Sequence, residues 1–280
     1  MVKIRRLGLK IFISTLISFV YSIIILIPFI WIIFNSFKYF KDIVAFNIIG
    51  GEWTLHNYNI ILYSKDENVV PQLINSIILT VSTLGIVLPS SLISGYGLAR
   101  STFSKITKGI LVGILLFVRL VPATAIALPY FMIFNLTGLY DTYYALIIVY
   151  VLKGLPLAVL MMITFIEDVP KEIEEAAMVD GSSFITMLSR IVFPLILPGI
   201  AATSVFTFIF AWNDFLFAAF LSSEHATNLQ VRISQFNAEY FIRWGELSAA
   251  VTISSLIVII FAMLTQKYLI RGLTLGAVKG

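Results

Sequence analysis

Cysteine is absent from this chain, and charged residues make up only 12% of it. The lack of cysteine excludes disulfide bonds and every metal site that depends on thiolate ligands. A soluble domain carries about 25% charged residues, so the low charge content argues against an ordinary soluble protein. Hydrophobic residues account for 59% of the chain, and the mean hydropathy is +0.99. These values are typical of a protein that lies mostly within a membrane.

Six long apolar runs divide the chain. A helix needs about 20 apolar residues to cross the hydrocarbon core of a bilayer, and each run is long enough. We predict that all six are helical, because lipid offers no hydrogen-bond partner to backbone N–H and C=O groups. The sequence predicts an all-α membrane protein with one transmembrane domain over residues 1–280. Its spans are predicted near residues 9–34, 74–98, 106–131, 143–165, 191–221 and 247–268.

The basic N-terminus and the apolar run after it have the appearance of a signal peptide. The run is longer than a signal-peptide core of about 7–15 residues and lacks a cleavage site of small residues, so we interpret it as an uncleaved first span. Most of the 19 lysine and arginine residues lie in segments that six spans place on the same side as the N-terminus. Because such residues accumulate on the cytoplasmic side, both termini and the loop at residues 168–190 are predicted to be cytoplasmic.

The loop between the fourth and fifth spans is long, charged and amphipathic. Asp168 is suited to cap the start of a helix, and Pro170 is suited to its first turn. Gly181 can adopt the positive φ angle that ends a helix, and Ser182 or Ser183 can cap the next one. The pattern predicts a short amphipathic helix, although from these residues alone an ordinary connecting loop fits equally well.

Residues 175–198 begin with Glu-Ala-Ala and carry glycine at position 181. Weaker sequence blocks accompany them, at residues 35–38, 57–58, 75–76, 96–100, 121–122, 128–129, 138–142, 212–215 and 271–280. Together these blocks resemble the carbohydrate branch of the binding-protein-dependent ABC permeases, the maltose-permease-like inner-membrane subunits. The resemblance covers nearly the whole chain, and the Glu-Ala-Ala block is its most specific part.

The resemblance implies the permease fold of a type I ABC importer, in which this loop is a coupling helix that docks on a separate ATPase. The residues that it assigns to this contact are Glu174, Glu175, Ala176, Ala177, Met178, Asp180 and Gly181. In similar permeases the C-terminal tail also reaches the ATPase, which here assigns that contact to Leu275, Gly276 and Lys279.

The resemblance also implies a set of partners in the cytoplasmic membrane of a bacterium or archaeon. These are a second permease subunit that forms a heterodimer with this chain, two copies of an ATPase subunit, and an extracytoplasmic solute-binding protein. ATP and Mg²⁺ would bind to the ATPase, so no cofactor is expected on this chain, and no nucleic acid is expected as a partner. The implied function is a pore subunit that moves a sugar or oligosaccharide into the cytoplasm.

Polar residues within apolar runs are unfavourable in lipid and are usually functional. Because sugars present hydroxyl groups and apolar ring faces, hydrogen-bonding and aromatic side chains suit a sugar path. We predict a substrate path that includes Tyr150, Trp212, Asn213, Asp214 and Phe215. A role for Asp214 in capping a helix or in hydrogen bonding within the bundle fits equally well.

Arg119 and Lys153 are two cations that also fall within apolar runs. Arg119 can extend towards the membrane surface or pair with Asp214, and the sequence favours neither. Lys153, with Gly154 and Pro156, indicates a broken stretch of the fourth span, which is tolerated where it lines a cavity or is covered by protein.

No catalytic motif is present in the sequence. A glycine-rich phosphate loop followed by Lys-Ser/Thr is missing, so the chain is not predicted to hydrolyse ATP. His56 and His225 are far apart in sequence, and no metal site is predicted from them. One alternative is a secondary transporter that works alone, but such proteins carry ionisable relays at the midplane and this chain has few mid-span charges. Another is an ABC permease for a non-sugar solute such as glycerol phosphate or an oligopeptide.

Overall fold

A computed structural model describes the backbone at residues 2–47, 50–238 and 241–276, and the side chains at residues 14–47, 50–237 and 242–269. The helices are α1 (Val2–Ser36), α2 (Phe40–Val44), α3 (His56–Tyr63), α4 (Val70–Arg100), α5 (Lys105–Leu120), α6 (Ala123–Leu136), α7 (Tyr143–Glu167), α8 (Lys171–Val179), α9 (Phe184–Met187), α10 (Phe193–Leu195), α11 (Leu197–Trp212), α12 (Leu216–Leu221), α13 (Leu229–Gln235) and α14 (Trp244–Gly276). A π-helical stretch, Leu188–Val192, joins α9 to α10. Two strands of two residues each, β1 (Asn237–Ala238) and β2 (Phe241–Ile242), pair antiparallel before α14.

Four helices, α1, α4, α7 and α14, are each long and apolar enough to cross a membrane. Two further pairs pass the same test when each pair is taken together. These are α5 with α6, bent by 85°, and Phe184–Leu195 with α11, bent by 75°. The described residues therefore contain four candidate spans, or six if each bent pair is one span. The predicted all-α membrane character is confirmed, but the third and fifth runs do not form straight helices.

Prolines lie at both bends. Pro122 separates α5 from α6, and Pro198 lies in the first turn of α11. Proline has no N–H to donate to the preceding turn and its ring crowds the carbonyl there, so a helix bends or restarts at it. The apolar run predicted at residues 191–221 is also interrupted near its end, because α11 stops at Trp212 and a short turn precedes α12.

The residues group into two compact units. The first unit comprises Met1–Val70 and Ile233–Ser255, and the second comprises Pro71–Arg232 and Leu256–Gly280.

In the first unit, the amide of Asn57 closes the C-terminal end of α1. Its Nδ2 donates to the carbonyl oxygens of Ser36 at 3.0 Å and Lys38 at 2.8 Å, which lie where a helix end leaves acceptors without intrahelical partners. Arg243 of this unit is ion-paired with Glu67 and with Glu246. The blocks at residues 35–38 and 57–58 therefore contact each other.

The second unit holds two separate clusters of buried apolar residues. One surrounds Tyr150 of α7 and includes residues from α4, α6, α11 and α12. The other includes Met162 and Ile166 of α7, Ala177 of α8 and Met187 of α9. The second cluster attaches the acidic loop to the end of the fourth span, and it positions the candidate site described next.

Candidate functional site

The acidic loop contains α8, which begins after Pro170 without a side-chain cap. The prediction that Asp168 caps this helix is wrong. Asp168 has helical backbone angles, φ −68° and ψ −18°, and it terminates α7 instead. Ser183 was one of the two residues expected to cap the following helix, and its side chain accepts a hydrogen bond from the backbone N–H of Thr186 at 3.3 Å.

Gly181 ends α8 in the left-handed conformation that the sequence predicted. Its φ is +86°, and the backbone N–H of Ser182 donates to the carbonyl of Ala177 at 3.0 Å. This bond satisfies an acceptor that the last turn of α8 would otherwise leave unpaired. A Cβ atom added at position 181 would have no neighbour within 4 Å, so it is the backbone angle that favours glycine there.

Glu174 is buried and ties α8 to the end of α4. Its Oε1 accepts hydrogen bonds from Arg100 Nε at 2.9 Å and from Arg100 Nη2 at 2.6 Å, while its Oε2 accepts one from the hydroxyl of Tyr96 at 2.7 Å. Arg100 Nη2 also donates to the carbonyls of Ile166 and Val169. One guanidinium thus connects the C-terminal end of α7 and the first part of α8 to the end of α4.

The seven residues of α8 and its C-terminal end that were assigned to an ATPase contact divide into buried and exposed positions. Glu174 and Ala177 are buried against their own chain, at 4% and 7% exposure. The others are exposed; they are Glu175, Ala176, Met178, Asp180 and Gly181. Sequence reasoning placed all seven at one interface because it could not know that Arg100 binds Glu174. An ATPase contact remains a prediction for the exposed residues.

Exposed apolar side chains lie beside these residues and were not all anticipated. Their exposed fractions are 40% for Ile173, 50% for Met178, 87% for Val179, 54% for Phe184 and 76% for Ile185. We call these five residues the apolar loop surface. Apolar side chains exposed together on a polar, charged loop are typical of a protein–protein contact.

The predicted tail contact is largely beyond what the structure describes. Leu275 and Gly276 are the last residues of α14, beyond the part of the chain whose side chains the structure describes. Lys279 lies outside the described residues. The contact of this tail with an ATPase stays a prediction.

Three of the five residues predicted to line a substrate path are buried. Tyr150, Trp212 and Asp214 are 0%, 1% and 8% exposed. The Tyr150 hydroxyl donates to Asp214 Oδ2 at 2.8 Å, and Oδ2 also accepts the backbone N–H of Ala218 at 3.0 Å. Asp214 therefore caps α12 and bonds within the bundle, the role that the sequence left open. A substrate contact stays a prediction for the two exposed residues, Asn213 and Phe215.

Asp141 organises a loop that sequence reasoning did not single out. Its carboxylate accepts hydrogen bonds from the backbone N–H groups of Ser223, Glu224, His225 and Ala226 and from the hydroxyl of Ser223, at 2.9–3.1 Å. Burial alone would raise the pKa of Asp141, but the four backbone donors lower that pKa well below its usual range. The sequence signal that could have identified Asp141 was its position in the block at residues 138–142.

Replacing Asp141 with asparagine should destabilise the protein near neutral pH, and the difference from wild type should shrink at low pH. The folded-state pKa of Asp141 lies below its unfolded value, so its stabilisation is complete above the unfolded pKa of about 3.9 and is lost as the pH falls through the folded value. Asparagine tolerates the φ of +58° found at this position, which leaves the charge as the main change.

The measurement is the thermal unfolding midpoint in detergent at a series of pH values between about 7 and about 3. The matched control is Asp168→Asn, an exposed position whose midpoint should stay close to wild type throughout. A gap between wild type and Asp141→Asn that does not change with pH would contradict the account of this loop.

Replacing Gly181 with valine should leave membrane insertion intact but weaken association with a partner at the loop. A β-branched residue in the left-handed conformation is strained by about 1–2 kcal/mol or more, so the end of α8 and the apolar loop surface would shift. Asparagine also adds a side chain but tolerates positive φ, so Gly181→Asn should weaken association with the partner much less. Partner association is measured by co-purification, and transport by uptake. An equal loss of both in the two variants would show that the size of the side chain is the cause and that the backbone angle is not.

The sequence of this chain is similar to a known protein family and to several of its members. A family model described as "Binding-protein-dependent transport system inner membrane component" matches residues 87–275. The trehalose/maltose transport system permease protein MalG of Thermococcus litoralis is 36% identical over 264 residues, which are 92% of this chain and 93% of that protein. The trehalose transport system permease protein SugB of Mycobacterium tuberculosis is 31% identical over 258 residues, 91% of this chain and 93% of that protein.

A solved structure shares the fold. A chain of a bacterial ABC transporter involved in the import of the acidic polysaccharide alginate superposes with a TM-score of 0.71. The match covers 92% of this chain and 95% of that chain, at 20% sequence identity. The fold of an ABC importer permease, which the sequence blocks implied, is confirmed.

Proposed function

Because this chain belongs to the family of inner-membrane components of binding-protein-dependent transport systems, we propose that it is the pore subunit of an ATP-driven importer that brings a sugar or oligosaccharide into the cytoplasm. The observation that carries this proposal is the similarity to sugar permeases over more than nine tenths of the chain.

The coupling step of this mechanism is assigned to the apolar loop surface. It faces the cytoplasm and enters a cleft of the ATPase, with the exposed residues Glu175, Ala176 and Met178 beside it. When the ATPase dimer closes on ATP, α8 is carried with it. The Arg100–Glu174 ion pair passes this movement to α4 and α7, because one buried guanidinium binds both the Glu174 carboxylate and the carbonyls of Ile166 and Val169.

The remaining machinery is supplied by other chains. A second permease subunit completes the pore, two ATPase subunits bind ATP and Mg²⁺, and an extracytoplasmic solute-binding protein delivers the sugar. This chain has no ATPase site of its own, and both of its termini are cytoplasmic. Alternating access then follows from two global states that bind ATP and the loaded receptor differently.

The test is reconstitution of this chain with its partner permease, ATPase and binding protein in liposomes. Saccharide uptake should require ATP inside and the binding protein outside, and the loaded receptor should stimulate ATP hydrolysis. Uptake without the ATPase would indicate a secondary transporter. Stimulation by glycerol phosphate or an oligopeptide, and by no saccharide, would support the alternative of a non-sugar permease.

A further inference from the structure

Two cations face one cavity between membrane-spanning helices of the second unit. The cavity has a volume of about 400 Å³, and its lining includes Arg119 of α5, Lys153 and Gly154 of α7, and Phe206 and Phe210 of α11. We call it the cationic cavity. Lys153 lies near the middle of α7, a helix of 25 residues whose length is about 37 Å, so the cavity reaches the depth of the bilayer core.

The positive charge of this cavity is not balanced by the described part of the chain. Among residues 14–47, 50–237 and 242–269, no ion pair to Arg119 or Lys153 is recorded. Asp214 was a candidate partner for Arg119, but its carboxylate is occupied by Tyr150 and the N-terminal turn of α12. The two cations line the same cavity, so they repel each other and neither neutralises the other.

A purely structural role accounts for only part of this arrangement. Lys153 Nζ donates to the carbonyl of Val121 at 3.1 Å, which satisfies an acceptor at the end of α5. That bond uses one of the three donors of an ammonium group. Arg119 lies in the last turn of α5, where a cation is favoured, but among the described residues none of its five donors meets a carboxylate. Unpaired charge at membrane depth is unfavourable and usually belongs to a functional site.

The remaining walls indicate what kind of anion fits. Phe206 and Phe210 supply aromatic rings to the lining, and aromatic rings can pack against the apolar faces of sugar rings, while the volume is that of a small-molecule site. A lone inorganic anion would need neither the aromatic walls nor the space. We propose that the cationic cavity binds an acidic saccharide, with Arg119 and Lys153 binding its carboxylate or sulfate group.

This inference rests on the proposed function and specifies its substrate class. The test uses the assembled complex of this chain with its permease and ATPase partners, in nanodiscs of zwitterionic lipid, without receptor or ATP. The probes are trigalacturonate and neutral maltotriose, and the dissociation constant of each is measured by calorimetry. Trigalacturonate should bind about tenfold to a hundredfold more tightly, as expected for a charge-assisted hydrogen bond.

Variants of the two cations test whether the cavity is responsible. Arg119→Gln together with Lys153→Gln should abolish the preference for trigalacturonate, while Lys153→Arg should keep most of it. Lys105→Gln removes a cation from the other end of α5 and should change nothing. Equal binding of the two probes by the wild-type complex, or a preference that survives the double substitution, would overturn the inference; a carboxylate of the partner permease in this cavity would produce the first result.

An anionic lipid headgroup offers the same chemistry from another source. Nanodiscs that contain phosphatidylglycerol separate the two sources, because a lipid ligand would block trigalacturonate binding to the wild type, and that result would also overturn the inference. The proposed function has a separate test, since it requires only that some loaded saccharide receptor stimulates ATP hydrolysis. Stimulation by neutral saccharides alone would therefore contradict the acidic substrate and leave the importer function standing.

Discussion

Replacing Glu174 with alanine is expected to release α8 from α4 and to abolish transport. The substitution leaves Arg100 buried without its carboxylate, and breaking a buried ion pair on one side destabilises a protein by about 3–5 kcal/mol. The side chains of Arg100 and Glu174 are only 12% and 6% exposed, so water cannot replace the lost partner easily. The chain should still insert into the membrane, because the apolar runs are unchanged, but it should retain little ATPase.

The measurement is the thermal midpoint of the purified permease, together with the amount of ATPase that co-purifies with it. Glu172→Ala is the matched control, since Glu172 lies in the first turn of the same helix and is exposed. Arg100→Lys should have an intermediate effect, because an ammonium cannot reproduce the bonds of Arg100 to Glu174, Ile166 and Val169 together. Equal thermal midpoints for Glu174→Ala and Glu172→Ala would contradict the proposal that Glu174 holds α8 to α4.

Aspartate in place of Val179 or Ile185 is expected to uncouple the permease without unfolding it. Both side chains are mostly exposed, at 87% and 76%, and substitutions at such positions usually change stability by less than about 0.5 kcal/mol. A charge buried at the centre of an interface should weaken ATPase binding by about 2 kcal/mol or more, a factor of about 30. Affinity is measured by titrating the ATPase onto the permease in nanodiscs.

Leu55→Asp is the control for this pair. Leu55 is 60% exposed, in the loop before α3, far along the sequence from α8, and the same charge there should leave ATPase affinity unchanged. If Val179→Asp and Ile185→Asp both bind the ATPase as wild type does, the apolar loop surface is not the docking site.

The sequence predicted the membrane class and the short helix of the acidic loop because both depend on local properties. Apolar run length determines which segments can span lipid, and Gly181 carries its own conformational preference. The bends of the third and fifth spans were harder to predict from the sequence. Proline marks where a helix is interrupted, but the angles of 85° and 75° depend on packing that a single segment does not contain.

The sequence did not reveal which predicted site residues bind a partner that is distant in sequence. Glu174 was grouped with Glu175 because they are neighbours, yet its binding partner, Arg100, lies 74 residues earlier. Tyr150 and Asp214 were judged suitable for a sugar path by residue type, and the structure shows a hydrogen bond between them that the sequence did not predict. Asp141 holds residues more than 80 positions away. Such pairings are tertiary, and no pattern within either segment records them.

Cysteine crosslinking at Val179 tests the docking of this loop on the ATPase most directly. The chain has no cysteine of its own, so a single cysteine introduced there is the only thiol that this subunit offers. With a bifunctional thiol reagent, or a cysteine in the ATPase cleft, Val179→Cys should form a crosslink to the ATPase whose yield changes when ATP is bound, whereas Leu55→Cys should form none. Crosslinks from Val179→Cys only to the partner permease, or to no subunit at all, would contradict the account.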